Sequence, residues 1–84
     1  MMTYEMFKEE VTKRFMDYVG EEYKDMELKV YSVEKVNRVL DGISLLGKGN
    51  NISPTMYIND MYNQYQKTEN FDVVMHSVIA SMEE

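Results

Sequence analysis

Apolar side chains recur every three or four residues along the first quarter of the chain. This spacing predicts an amphipathic helix over residues 3–19, because it places one set of side chains on a single helix face: Tyr4, Phe7, Val11, Phe15, Tyr18 and Val19. We expect Thr3 to cap the helix at its N-terminus. Gly20 is expected to end it in a left-handed conformation, which glycine adopts without steric cost.

The pattern changes to alternation between residues 27 and 46, which predicts a β-hairpin. Leu28 and Val30 share a face of the first strand. The second strand places two sets on opposite faces: Val39, Asp41, Ile43 and Leu45 on one, and Leu40, Gly42, Ser44 and Leu46 on the other. The turn is expected within residues 35–38, where Asn37 tolerates the left-handed conformation that a tight turn needs.

Residues 47–51 read as a loop that leads into a third, short strand over residues 55–58. Pro54 is compatible with the start of this strand, since a proline there removes no ladder hydrogen bond. Asn59 or Asp60 is then expected to cap a helix that contains three apolar or aromatic residues: Met61, Tyr62 and Tyr65.

A last helix is expected to start at Thr68 or Asn70. Its apolar residues follow the helical spacing without a break: Phe71, Val74, Met75, Val78, Ile79 and Met82. The element order is therefore α-β-β-β-α-α. It predicts a single α+β domain over residues 1–84, with a three-stranded antiparallel sheet and helices packed on one face, since the helical stripes must cover the sheet.

The charge balance narrows the class of partner. The chain has 15 acidic and 9 basic side chains, a net charge of −6, and its basic residues form no patch in the sequence. Nucleic-acid binding needs clustered basic residues, so we expect no direct nucleic-acid contact and instead a protein partner, one with a basic surface being the complementary choice. The acidic N-terminus and short apolar runs predict a cytoplasmic protein without a membrane span.

Candidate catalytic chemistry is sparse. The chain has no cysteine, and His76 is its only histidine. Asp72 lies one helical turn before His76, but the sequence places no third ligand near this pair. The glycine-containing loop 47–51 lacks the spacing of a phosphate-binding loop. We therefore predict no enzymatic activity, no metal and no cofactor.

A group of aromatic and polar residues forms the candidate binding site: Tyr57, Asn59, Tyr62 and Tyr65. Alternation directs Tyr57 outward if its neighbours in the strand point inward, and Tyr62 and Tyr65 share one side of the next helix. Tyrosine is favoured at protein interfaces. The same rings could instead seal the junction between the third strand and the helix that follows it.

Several segments resemble an uncharacterised family of bacterial domains, common in anaerobic gut bacteria. Residues 2–8, Met-Thr-Tyr-Glu-Met-Phe-Lys, are similar to the family's opening MTYEEFK, and residues 51–60, Asn-Ile-Ser-Pro-Thr-Met-Tyr-Ile-Asn-Asp, form the most specific match. The chain looks like the N-terminal part of longer members. The resemblance implies the same order of elements and supplies no functional residues. The family usually has glycine in the hairpin, where this chain has Arg38, and glycine again near the position of Thr68. We therefore expect the hairpin turn and the link between the last two helices to be built differently in this chain.

These features lead to three hypotheses. The first is a non-enzymatic protein-interaction module that binds through an acidic helical face or the tyrosine group, with homodimerisation through an open sheet edge as a further possibility. The second is a small acidic inhibitor of mobile-element origin, anti-CRISPR-like, that mimics nucleic acid toward a basic enzyme. The third is a fragment of an enzyme whose catalytic residues lie elsewhere.

Overall fold

The first helix begins as its sequence predicts and ends earlier. In the computed structural model, which describes residues 1–83, the Thr3 hydroxyl accepts a hydrogen bond from the Met6 N–H at 3.3 Å, and α1 spans Tyr4–Arg14. A 3₁₀ turn, Phe15–Asp17, follows. The apolar spacing continues through this tighter turn because Phe15 stays buried, so periodicity alone does not reveal where the α-helix ends.

Gly20 does not adopt the predicted left-handed conformation. Its φ is −72° and its ψ is 170°, so the backbone there is extended. A second 3₁₀ turn, Glu21–Tyr23, then carries the chain toward the sheet. The helix has already ended through the 3₁₀ turn, and no left-handed residue is needed at this position.

The hairpin has the predicted position and faces. Strands β1 (Glu27–Lys35) and β2 (Arg38–Leu46) pair in an antiparallel register that runs without interruption to Lys35 opposite Arg38. Val36 and Asn37 form the two-residue turn with φ values of 46° and 62°. Positive φ at both positions is the geometry of a type I′ turn, which matches the twist of the strands. The left-handed conformation of Asn37 is therefore confirmed.

The third strand and second helix differ in detail from the prediction. Strand β3 is only Met56–Tyr57, and it pairs with Gly42 and Ile43 on the far side of β2. Helix α2 (Ile58–Thr68) follows directly. The prediction that Asn59 or Asp60 caps this helix is wrong, because both residues lie inside it. The N-cap position is Tyr57, which makes no side-chain capping bond.

The last helix begins at one of the two predicted positions. Helix α2 ends at Thr68, and its C-cap, Glu69, has a left-handed φ of 52°. The Asn70 side chain then accepts a hydrogen bond from the Val73 N–H at 3.1 Å and caps α3, Phe71–Met82. This arrangement confirms Asn70 as the cap.

Helices α1, α2 and α3 pack on one face of the sheet. Ile43 and Leu45 of β2 are completely buried under them. The rest of the core comes from the helices, the 3₁₀ turn after α1 and the bend that follows this turn: Phe7, Val11, Phe15, Val19, Ile58, Met61, Tyr65, Phe71, Val74, Met75 and Ile79. The α+β class and its element order are confirmed. Within residues 1–83, no helix is both long and apolar enough to cross a membrane.

The opposite face of the sheet is covered by its own side chains. A Cβ atom on Gly42 would lie 3.1 Å from Cε2 of Tyr31 and 3.0 Å from Cγ2 of Thr55, so only glycine fits without displacement. The Tyr31 hydroxyl donates to Ser44 Oγ at 3.2 Å and lies 2.7 Å from the Thr55 hydroxyl. The tyrosine ring thus shields the bare backbone of β2.

Candidate functional site

Tyr62 and Tyr65 fasten the N-terminus to α2. The Tyr62 hydroxyl donates to the Met2 carbonyl at 3.0 Å, and the Met2 N–H donates to the Tyr65 hydroxyl at 3.2 Å. The two rings are stacked with centroids 6.1 Å apart, and Phe7 packs against both. Because Tyr65 is only 6% exposed, its ring mainly contributes to the packing between α1 and α2.

The other two members of the predicted site lie apart from this pair. Tyr57 is half-buried opposite Gly42, and the Lys35 ammonium lies 5.1 Å from the centre of its ring. The Asn59 side chain accepts a hydrogen bond from the Asp41 N–H at 2.8 Å and joins α2 to β2. The four residues therefore do not form one continuous surface, and binding by any of them stays a prediction.

A polar cluster that the sequence did not single out lies between α1 and β2. The Tyr4 hydroxyl donates to Asp41 Oδ2 at 2.5 Å, and the Lys8 ammonium lies 3.1 Å from Asp41 Oδ1. The hydrogen bond from Tyr4 lowers the pKa of Asp41 against the opposing effect of burial, and Lys8 adds to the lowering. Burial, and then Asp41, raise the pKa of Tyr4.

A signal for this cluster was present in the sequence. Asp41 falls on the same strand face as Ile43 and Leu45, and a carboxylate on a buried face needs partners. The partners come from a helix far away in the sequence, so the pattern within β2 could not identify them. The cluster ties α1 to the sheet and presents no open position for a substrate, since its carboxylate is only 19% exposed.

His76 and Asp72 do not bond to each other in the part of the chain described. Asp72 instead accepts a hydrogen bond from the Tyr18 hydroxyl and lies 3.5 Å from the Arg14 guanidinium. The His76 ring packs edge-on against Tyr18 with centroids 5.3 Å apart. These residues fasten α3 to α1. Within residues 1–83, no group of three or more acidic or histidine side chains is arranged to hold a metal ion.

A groove of about 360 Å³ lies between β3, α2 and the end of α3, and the predicted site residue Tyr57 borders it. Its apolar wall is formed by Met56, Met61, Val78 and Met82, and we call it the Met groove. Met61 is 2% exposed and forms the floor, whereas Met56 and Met82 are half-buried.

The rim of the Met groove is polar and carries the charge of Asp60. Asp60, Gln64 and Ser81 contribute to it, and Tyr57 contributes an aromatic ring. Of the predicted site residues, Tyr57 is thus the member that borders this groove. The methionine lining was not predicted as a site, because the sequence places Met82 on the apolar stripe of α3, where it reads as a core residue.

A family model now places this architecture among known sequences. The model of DUF5688, a family of unknown function, matches residues 4–84. The chain belongs to DUF5688. This agrees with the resemblance to an uncharacterised domain family. No curated protein and no solved structure matches the chain, so membership in DUF5688 assigns no activity and no site residue.

Proposed function

We propose that this member of DUF5688 is a non-enzymatic protein-interaction domain whose Met groove receives an apolar side chain of a partner protein, next to basic residues of that partner. The observation that carries the proposal is the groove itself, about 360 Å³ in volume and lined by three methionines, Met56, Met61 and Met82. Its volume falls at the lower end of the range for ligand sites, which is about 300–1,000 Å³.

Methionine makes this groove suited to a protein side chain. Its unbranched, polarisable side chain adapts to differently shaped apolar groups, and it is common on surfaces that bind other proteins. Met61 provides a fixed floor because it is buried, whereas Met56 and Met82 retain exposed area that a partner would cover. The groove can therefore adjust its walls while its base stays in place.

Charge favours basic residues beside the apolar anchor. Among residues 1–83, Asp60 is the one charged residue that lines the groove. The segment that builds the groove lies in residues 51–84, which hold five acidic side chains and one basic side chain, Lys67, a net charge of −4. A lysine or arginine near the anchor would approach Asp60 and gain from the negative field around it.

Methyl NMR on methionine-labelled protein tests the proposal directly. The probes are two amphipathic peptides of about 15 residues with the same leucine anchors, one flanked by lysines and the other by glutamates. We expect the lysine peptide to shift the methyl signals of Met56, Met61 and Met82 in a saturable way. Met1 and Met6 are exposed and lie outside the groove, so their signals serve as the internal reference.

A matched pair of variants on α3 locates the binding. Ser81→Tyr fills the groove from its rim, and Ala80→Tyr adds the same ring to the neighbouring residue, which is exposed and does not line the groove. Ser81→Tyr is expected to weaken peptide binding at least tenfold, and Ala80→Tyr to leave it unchanged. Equal binding by both variants, or no saturable shift with the lysine peptide, would contradict the proposal.

Tyr57 has its own place in this test. Because its ring borders the groove, Tyr57→Ala is expected to weaken peptide binding. Tyr62→Phe removes a hydroxyl that bonds Met2 and lies outside the groove, so it is expected to lower stability without changing affinity. The pair separates the binding role proposed for Tyr57 from the packing role of Tyr62.

The alternative, an acidic inhibitor that mimics nucleic acid, stays a prediction from charge and differs in its response to salt. Apolar contact in the groove persists at high ionic strength, whereas attraction between exposed charges is screened over about 8 Å at physiological ionic strength and about 3 Å at 1 M. Methyl shifts that survive 0.5 M NaCl therefore support groove binding. A complex that dissociates completely at that concentration favours mimicry.

A further inference from the structure

The outer edge of β1 is the longest unpaired stretch of strand backbone in residues 1–83. The sheet order is β1-β2-β3, so β1 bonds to β2 on one side only. Its register with β2 runs from Glu27 to Lys35 without a bulge, and it contains neither proline nor glycine. Proteins usually protect a long edge with bulges or prolines, because an unprotected edge can pair with another strand.

The hairpin turn fixes which residues of β1 face outward. In a two-residue turn the carbonyl of Lys35 accepts from the N–H of Arg38, so this flanking pair is hydrogen-bonded. Bonded and non-bonded pairs then alternate along an antiparallel ladder. The outward N–H and C=O groups consequently belong to every second residue: Leu28, Val30, Ser32 and Glu34.

We propose that two copies of this chain pair through these edges, β1 against β1, antiparallel about a two-fold axis at Tyr31. In this register Leu28 lies opposite Glu34 of the second copy and Val30 opposite its Ser32, so all the outward groups find partners. The pairing would form about eight backbone hydrogen bonds and one continuous six-stranded sheet. This inference is separate from the proposed function, since the Met groove borders β3 at the other edge of the sheet.

Charge pairing favours the register with the axis at Tyr31 over the registers shifted to Val30 or Ser32. With the axis at Tyr31, Glu27 lies opposite Lys35 of the second copy, and the reciprocal pair forms by symmetry. An axis at Ser32 would place Lys29 opposite Lys35, two like charges. An axis at Val30 would leave the charges without cross-strand partners.

The charged side chains at the ends of β1 are exposed and make only weak contacts within the chain. Glu27 and Lys29 form an exposed ion pair at 3.1 Å, and Glu27 is 69% exposed. Lys35 is exposed above the ring of Tyr57. Exposed side chains exchange partners readily, because such ion pairs hold them weakly. The centre of the strand, residues 30–33, has no charged side chain that would have to be desolvated.

Sedimentation equilibrium over about 10 µM to 1 mM tests the pairing. Because one strand pair makes a small interface, we expect association in this range. The expected result is a mass that rises from the 10.0 kDa of one chain to twice that value. Ser32→Pro removes an outward N–H and should keep the protein monomeric, while Ser32→Ala, the matched control, should associate like the parent chain. Methyl NMR spectra confirm that each variant is folded.

Charge exchange tests the register. Glu27→Lys and Lys35→Glu each place like charges opposite one another and are expected to weaken association at least fivefold. The double variant restores opposite charges and should recover it. A mass of one chain at every concentration, association that Ser32→Pro leaves unchanged, or a double variant as weak as the single ones would overturn the proposal. None of these outcomes affects the Met groove, so failure here leaves the proposed function to its own test.

Discussion

Asp41 shows how a single inward-facing carboxylate is made compatible with a sheet face that helices cover. It receives the Tyr4 hydroxyl at 2.5 Å and the Lys8 ammonium at 3.1 Å, and its own N–H bonds to Asn59. A carboxylate removed from water without such partners would destabilise the fold. Three separate segments of the chain, α1, β2 and α2, therefore meet at one residue.

The lowered pKa of Asp41 predicts a specific acid sensitivity. A carboxyl group whose pKa is lower in the folded chain stabilises the fold above its unfolded pKa of about 3.9, and this contribution disappears as the pH falls through the folded pKa. Asp41→Asn should therefore lower the free energy of unfolding by about 1–2 kcal/mol at pH 7. The difference from the parent chain should shrink steadily below about pH 4.

Urea unfolding monitored by circular dichroism between pH 2 and pH 7 measures this effect. Glu34→Gln is the matched control, because Glu34 is an exposed carboxylate on the same face of the hairpin. It is expected to change stability little at any pH. A difference between the parent chain and Asp41→Asn that stays constant with pH would show that the ionised carboxylate is not what stabilises the fold.

At the scale of elements, two short connections have a non-glycine residue at a position where the backbone is left-handed. Val36 has a φ of 46° in the hairpin turn, and Glu69 has a φ of 52° at the end of α2. Side chains with a Cβ are strained in this region, and a β-branched residue such as Val36 is an uncommon occupant. The chain accepts these conformations because the elements on both sides hold them in place.

Replacing Glu69 by glycine is expected to stabilise the protein. Its N–H bonds to the Tyr65 carbonyl, which is the usual geometry of a left-handed helix end. Glycine relieves the strain at this position, so Glu69→Gly should raise the free energy of unfolding by about 0.5–1 kcal/mol. Thr68→Gly, one residue earlier and inside the helix, should lower it by a similar amount. Thermal and urea unfolding measure both, and a loss of stability in Glu69→Gly would contradict the assignment of strain.

The same connections mark the limit of what the sequence predicts. The absence of the family's glycines at Arg38 and near Thr68 indicated that both turns are unusual. It did not indicate that the hairpin turn is centred on Val36 and Asn37. Moving the turn by one residue leaves Arg38 in the strand and transfers the strain to Val36. Local propensities disfavour valine there, so only the pairing of the two strands determines the choice.

The elements themselves were predictable because their apolar periodicities are strong. The hairpin strands, the capping by Thr3 and Asn70, and the order of elements follow from spacing and cap chemistry. The end of α1 and the start of α2 do not, since Phe15 stays buried in a 3₁₀ turn and Asn59 bonds to the sheet instead of capping. Both depend on tertiary contacts that no local pattern contains.

The candidate site illustrates the same division. Alternation along the strand is enough to predict that Tyr57 points outward. Whether Tyr62 and Tyr65 are buried depends on where the N-terminal residues lie, which alternation does not predict. The Met groove needs α3 to pass beside β3, and residues 56 and 82 are too distant in sequence for periodicity to relate them. Sequence thus supplies the residue types of the groove and the fold supplies their proximity.

On the scale of the whole molecule, Phe7 joins the three helices. Its ring lies 5.3 Å from Tyr62 and 5.1 Å from Tyr65 of α2, and 5.6 Å from Phe71 of α3. It is completely buried. A chain of this length buries only about 60% of the surface that its extended form exposes. The packing between its layers therefore depends on few side chains.

Phe7→Ala is therefore expected to bring the whole chain close to unfolding. Removing a buried phenylalanine costs about 3–5 kcal/mol, against a total stability of about 4–12 kcal/mol for a domain of 84 residues. Phe7→Leu keeps most of the apolar volume and should cost about 1–1.5 kcal/mol. Urea unfolding followed by circular dichroism and by the methyl signals of Met61 and Met75 should show one transition, since both methionines belong to the same core. If Met75 kept its folded signal while Met61 lost it, α3 would stay packed after α2 had unfolded, and the helices would not form one cooperative layer.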